Sequence, residues 1–323
     1  MTEEEKVIEE FKLTPEEIEN ITNFAITLLS GNKLPSRNPI ATIVGGQMGS
    51  GKPALMNYTS TEFPDAILID NDSFSELHPR INEIKRKYPQ YYRVATDQLG
   101  MGITPHIIDY FMGNNPTHAK YDIILHNTLR SNTVVNNAMT KMHDAGYIVG
   151  VRCLAVSYFE SKMSQIERCE TQYSTLGFCR FADAQAHKDT IAGIPNTLDY
   201  IEGSQKYDVM QIYARSEDIS KPDLIYSGIN PKSAFIVSYT LNKRNLDMIG
   251  NRRNGYHSAK DALEDVRVQD SKDCMNTLNK RISKIIKKGG YYIPGLGRDI
   301  NELMDEMIVY KYKEFYSDER ECS

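Results

Sequence analysis

No stretch of the chain approaches the roughly 18 consecutive apolar residues that a membrane-spanning helix requires. The first residues, MTEEEKVIEEFK, are acidic where a secretory leader is basic and then apolar, so no leader is expected. Cysteine is sparse and odd in number: Cys153, Cys169, Cys179, Cys274 and Cys322, with no C-x-x-C pair. That scatter predicts neither a disulfide framework nor a zinc site, and a reduced, cytoplasmic setting is the expectation. Positive charge is not in excess either. The formal net charge of -5 over 323 residues argues against a nucleic-acid partner, with only 242–253 (NKRNLDMIGNRR) and 280–288 (KRISKIIKK) as local basic runs. The second run reads as the solvated face of a helix. Repeats and low-complexity segments are also missing. The apolar share of 40% and charged share of 25% are those of a globular protein and exclude disordered and collagen-like classes.

What is present is an alternation of short apolar runs and helical patterns. Residues 13–32 begin with Thr14 as a candidate N-cap, Pro15 at the first helical position and two glutamates in the first turn. Ile18, Ile21, Phe24, Ala25 and Leu28 are predicted to share a packing face, and Gly31 to end the helix. A shorter helix is expected over 3–11. Strands are predicted at 39–46, 65–70, 121–126 and 147–156, with helices at 53–60, 95–113 and 132–145 between them. Strands alternating with helices predict a doubly wound, mostly parallel α/β sheet whose sites lie at the carboxyl ends of the strands. The second half turns helical, at 157–175, 182–192 and several places after residue 231. The expected organisation is a helical segment over 1–38, an α/β core over 39–230 and a mainly helical extension over 231–323.

The first predicted strand runs into GGQMGSGKPALM, in which Gly46, Gln47, Met48, Gly49, Ser50, Gly51 and Lys52 fill the pattern G-x-x-x-x-G-K. Glycines let backbone N–H groups turn toward phosphate oxygens, the following helix adds its positive end, and the lysine reaches the β- and γ-phosphates. A strand before the loop and a helix after it are the context this motif needs. The residue that normally ligates Mg²⁺ through a hydroxyl is replaced by Pro53. Proline is tolerated at a helix start, so the loop is expected to form, with the metal held by phosphates, waters and one acidic side chain. The second strand ends in IDND, where Asp70 and Asp72 are candidates for a base that takes a proton from an attacking hydroxyl, or for caps of the next helix.

Five segments in order, GGQMGSGK (45–52), IDNDSFSELHP (69–79), HNTLRS (126–131), IERCETQ (166–172) and CRFADAQAHKDTIAGIPNTL (179–198), resemble the zeta toxin family, the kinase toxins of bacterial toxin–antitoxin systems. The resemblance covers roughly residues 40–200 and implies a P-loop kinase-like fold. It implies ATP-dependent phosphorylation of a sugar hydroxyl on UDP-N-acetylglucosamine. By position, the loop from Gly46 to Pro53 would hold ATP, Asp72 would be the base, and Arg168 and Arg180 would clamp the transferring phosphoryl group with Lys52. His126, Asn127, Thr128 and Arg130 fall where the family holds the sugar nucleotide, in a segment written E-G-T-x-R or E-N-T-x-R. His126 replaces its glutamate, which bears on the identity of the acceptor. Alternatives are transfer to a nicotinamide dinucleotide, as in a related plant-pathogen effector, or a nucleotide-binding pseudokinase impaired at Pro53 and His126. The family also implies a small antitoxin partner over the ATP site, a part that the N-terminal helices could instead play in cis.

Overall fold

The computed structural model describes residues 1–179, 183–218, 220–243 and 254–321. Two capped helices open the chain, α1 (Glu3–Glu10) and α2 (Pro15–Ser30). In each a threonine, Thr2 or Thr14, accepts from the third helical N–H while the glutamate there bonds back to the threonine's N–H. The core then alternates: β1 (Ile40–Gly45), α3 (Lys52–Glu62), β2 (Ile67–Ile69), α4 (Asn71–Ser75), α5 (Ile81–Lys87), α6 (Tyr92–Phe111), β3 (Ile123–His126), α7 (Asn132–Asp144) and β4 (Ile148–Ala155). It continues through α8 (Tyr158–Leu176), α9 (Ala184–Ser204), β5 (Val209–Ala214) and β6 (Asp223–Ile229). Helices α10 (Ala234–Lys243), α11 (Ala259–Lys287) and α12 (Leu296–Glu321) follow.

The strands form one sheet in the order β2-β3-β1-β4-β5-β6, parallel except for the antiparallel edge strand β6. Strand β1 is central and wholly buried, pairing with β3 on one side and β4 on the other. Helices cover both faces, as the buried parallel strands require. On one face α2, α6, α7 and α9 pack through Ile21, Ile103, Met139 and Leu198, joined by Leu263 of α11. On the other, Leu55 and Met56 of α3 pack with Tyr213 of β5. A further apolar cluster joins α8, α11 and α12 through Ile166, Leu278 and Leu303. Among the described residues no helix is long and apolar enough to cross a membrane.

Several expectations need correction. On α2 the buried residues are Ile21 and Ala25, with Ile18 partly packed, whereas Phe24 and Leu28 are exposed. The buried stripe follows the i, i+4 ridge of Ile21 and Ala25, leaving Phe24 and Leu28 on its flank. Strands β5 and β6 were not anticipated, and α9 runs well past 192 with Pro195 inside it. Cys169 and Cys179 are joined as a disulfide, contrary to the expectation from cysteine count. Helix α8 ends at Gly177 in a left-handed conformation, and the turn brings Cys179 back against the helix. Within the basic run 280–288, Ile282 and Ile285 are buried and Arg281 is ion-paired, while the lysines face solvent. The other run, 242–253, lies outside the described residues except for the backbone end of α10.

Candidate functional site

A cleft of about 760 Å³ opens over the carboxyl ends of β1, β2 and β3. Its wall contains Met48 to Pro53, Asp70, Asp72, His126, Asn127, Thr128, Arg168 and Arg215. No residue before Met48 lines it, so α1 and α2 stay outside; α1 instead packs Val7 and Phe11 against Ile84 and Tyr92.

The phosphate-loop geometry follows from its glycines. Gly46, Gly49 and Gly51 have φ of +146°, +78° and +96°, values that side chains disfavour. Gly49 is also pressed onto α8, where an added Cβ would lie 2.2 Å from the Ser161 carbonyl oxygen. Helix α3 begins at Lys52, with Gly51 as its cap residue and Pro53 in its first turn. The N–H that proline lacks there has no intrahelical partner in any case, so Pro53 does not disturb the helix.

Each loop carbonyl from residue 46 to 51 is met by a donor. Lys52 Nζ donates to Gly46 O (2.7 Å) and Gln47 O (3.0 Å), and Gln165 Nε2 donates to Met48 O (3.0 Å). Arg215 donates through Nη2 to Gly49 O (2.6 Å) and through Nε to Ser50 O (2.8 Å). The Ala54 N–H donates to Gly51 O (2.9 Å). A trans peptide directs its C=O and N–H oppositely. Carbonyls of Met48 and Ser50 held outward therefore turn the Gly49 and Gly51 N–H groups the other way, the arrangement an anion needs, while the Ser50 N–H closes a turn on Gln47 O (3.1 Å). Ser50 Oγ is buried and has no hydrogen-bond partner among the described residues. These features fit a bound polyphosphate. Burial pulls the Lys52 ammonium down to about 8, against the upward pull of Asp72 and Asp70.

Strand β2 ends at Ile69, and the two aspartates then take different tasks. Asp70 caps α4, accepting from the Asp72 N–H (3.1 Å) and from Ser73 Oγ (3.0 Å). Its other neighbour is His126, with Nδ1 2.9 Å from Asp70 Oδ1. Burial alone would raise the Asp70 carboxyl, but the bonds from His126 and the Asp72 N–H outweigh it and leave it below the usual range. Asp72 lies in the first turn of α4 on the cleft wall.

Beyond β3 the chain makes a tight turn. Asn127 N donates to Val44 O, Asn127 Oδ1 accepts from Leu129 N (2.7 Å), and Leu129 adopts φ +54° with its side chain buried. Gly45 makes room for it, since a Cβ there would lie 2.1 Å from Leu129 Cγ. Thr128 faces the cleft, whereas Arg130 is exposed and is not on its wall. Gly46 and Gln47 lie beneath the loop; the Gln47 side chain is buried, donating to Val156 O and accepting from Arg267 Nη2 (3.1 Å). Arg168 lines the cleft, and Arg180 lies outside the described residues.

The structure therefore brings Lys52, Asp72, His126, Asn127, Thr128 and Arg168 together. Sequence reading missed Gln165 and Arg215, which bond the carbonyls of the loop. Arg215 follows the last residue of β5, a carboxyl strand end that would have drawn notice had β5 been read. For Mg²⁺ the fit is narrower. Among the described residues no group of three or more His, Cys, Asp or Glu is placed to hold a metal ion, and Pro53 offers no hydroxyl. What remains is a carboxylate of the Asp70–Asp72 pair beside whatever oxygens a polyphosphate brings.

A mostly parallel sheet with a glycine loop between its central strand and α3 defines a P-loop kinase-like α/β protein. A family profile described as Zeta toxin matches residues 27–221, more than half of the chain. The chain belongs to the zeta toxin family of kinase-like toxins. The chain is 26% identical to toxin zeta of Streptococcus pyogenes over 221 residues, 68% of this chain and 75% of that protein. It is 26% identical to toxin PezT of Streptococcus pneumoniae over 190 residues, 58% of this chain and 73% of that protein. A solved structure from the PezAT chromosomal toxin–antitoxin system of Streptococcus pneumoniae superposes with a TM-score of 0.63 at 19% identity, covering 85% of this chain and 98% of that one. At that identity the likeness concerns the fold.

Proposed function

We propose that this protein is an ATP-dependent kinase that transfers the γ-phosphate to a hydroxyl of UDP-N-acetylglucosamine or a related nucleotide-linked acceptor. The observation that carries the reading is the convergence of the phosphate loop, Lys52, Asp72 and Arg168 on one cleft. The loop N–H groups and Lys52 hold the ATP phosphates. The acceptor hydroxyl oxygen attacks the γ-phosphorus in line, the bond to the β–γ bridging oxygen breaks, and ADP leaves. Asp72 takes the hydroxyl proton, and Arg168, with Arg180 from the adjoining segment, meets the charge on the transferring group. His126, Asn127 and Thr128 contact the acceptor, as does Arg130 if the acceptor extends beyond the cleft wall. A carboxylate of the Asp70–Asp72 pair would help hold Mg²⁺, which would supply neutralisation of phosphate charge. A small antitoxin protein is the partner this reading implies, in keeping with the toxin–antitoxin origin of the solved relative. A cytoplasmic setting goes with such a substrate.

Pro53 and His126 favour a second reading, a nucleotide-binding protein without efficient transfer. Single-turnover transfer from labelled ATP with Mg²⁺ separates the two, with UDP-N-acetylglucosamine and nicotinamide dinucleotides offered in parallel. Transfer that Asp72→Asn abolishes supports the kinase. ATP binding without transfer to any acceptor supports the second reading.

A further inference from the structure

Arg215 is exposed at the end of β5 and spends its guanidinium on backbone rather than on a carboxylate alone. Two of its nitrogens bond successive loop carbonyls, Gly49 O and Ser50 O, at 2.6 and 2.8 Å. The third donates to Glu160 Oε1 at 2.6 Å. Glu160 is largely buried on α8 and is shared, because Arg281 of α11 donates to both of its oxygens. Arg281 is fixed in turn by Glu167, with Nε and Nη2 at 3.0 and 2.7 Å from its two oxygens. A chain of charge-assisted bonds thus runs from α11 through α8 to the carbonyls of the phosphate loop. Arg281 lies beyond the residues that the family profile matches, which end at 221.

We propose that Arg215 is a positioning residue for the phosphate loop, and that Arg281, acting through Glu160, makes helix α11 part of the nucleotide site. The inference rests on the loop holding a polyphosphate. Its physical content is the peptide geometry. Pinning the Ser50 carbonyl outward fixes the Gly51 N–H inward before any ligand arrives, and pinning the Gly49 carbonyl holds the turn in which the Ser50 N–H donates to Gln47 O (3.1 Å). A lysine at 215 has no planar fork and cannot bond two carbonyls in that geometry. Arg281 anchors Glu160, so that the carboxylate holds Arg215 over the loop instead of turning toward water.

The test uses the full chain and two probes, ATP and inorganic tripolyphosphate, with binding measured by calorimetry and loop order by amide hydrogen exchange without ligand. Arg215→Ala is expected to weaken both probes roughly tenfold or more. It is also expected to speed exchange at residues 49–51 while the melting temperature falls little. Arg215→Lys should recover part of the affinity. Arg281→Met should weaken binding less, in the same direction, and add nothing in the Arg215→Ala background. If Arg215 only touched the ligand, loop exchange would be unmoved and Arg281→Met would be silent; either result overturns the proposal. Binding that survives Arg215→Ala overturns it as well. Failure of the parent protein to bind either probe would overturn the phosphate-loop reading itself, an outcome visible before any variant is made.

Discussion

His126 places Nδ1 2.9 Å from Oδ1 of Asp70, across the gap between the ends of β3 and β2. Asp70 is held ionised and accepts only, so Nδ1 carries the hydrogen and Nε2 is left for the cleft. The substitution that departs from the family segment is therefore built into the site through a partner that also caps α4. His126→Ala is expected to lower kcat/KM roughly 10–100-fold with a small change in melting temperature, because the lost group orients a ligand more than it packs. His126→Gln, which keeps a donor for Asp70, should recover part of that. Asp70→Asn should cost about 1 kcal/mol of stability through the weakened cap and should reproduce the kinetic loss. Equal activity of the His126→Ala variant would remove His126 from the acceptor site.

Pro53→Thr is expected to leave stability within about 1 kcal/mol, since the restored N–H falls in a helix turn that has no intrahelical acceptor for it. The added hydroxyl should lower the Mg²⁺ needed for half-maximal transfer by roughly three- to tenfold. A Mg²⁺ titration at saturating ATP reads this directly. An unchanged requirement would mean that the metal is held without any help from this position.

The glycine loop was legible because a wholly apolar strand, IATIVG, leads into it and a lysine opens the helix after it. Asp72 was legible, together with Asp70, as a carboxylate at the end of a predicted strand, whereas His126 and Arg168 were legible only through motifs. Strand β5 escaped because its run is interrupted by buried polar Gln211, which accepts from Tyr213 Oη and pairs across the sheet with Ser227. Helix α9 was cut short at Gly193 and Pro195. Gly193 is instead a close-approach site, 2.4 Å from the Arg130 carbonyl oxygen for an added Cβ, and buried Ile194 and Leu198 keep the helix in place. Arg215 acts on carbonyl oxygens, and such a contact leaves no pattern of residue types to read.

The disulfide offers a separate test. Cys169 follows Arg168, Cys179 precedes Arg180, and the bond spans ten residues of sequence. Closing so short a loop limits the unfolded chain by about 2–3 kcal/mol on the chain-entropy estimate. Reduction should therefore lower the melting temperature by several degrees. Cys179→Ser should match the reduced protein and ignore reductant. If both arginines meet the transferring group, reduction should slow transfer more than it weakens ATP binding. Thermal melts and single-turnover rates with and without reductant separate these effects.

Lys52 supplies a pH signature for the ligand-free site. Burial, partly offset by Asp72 and Asp70, brings it from 10.5 to about 8, so its charged form is disfavoured by a net of roughly 3 kcal/mol before phosphate arrives. The folded value lies below the unfolded one. Between the two the unfolded chain binds the extra proton, and this group's contribution to stability rises with pH across that window and is flat below it. ATP restores a negative neighbour and hence the proton. Affinity is expected to fall as pH rises through about 8, and binding near pH 9 should take up close to one proton, against almost none near pH 7. Calorimetry in buffers of differing ionisation enthalpy measures that uptake. Lys52→Met should abolish it while weakening ATP at every pH, because the methionine fills the buried site and has no charge to regain. Proton uptake that persists in Lys52→Met would place the titrating group elsewhere in the cleft.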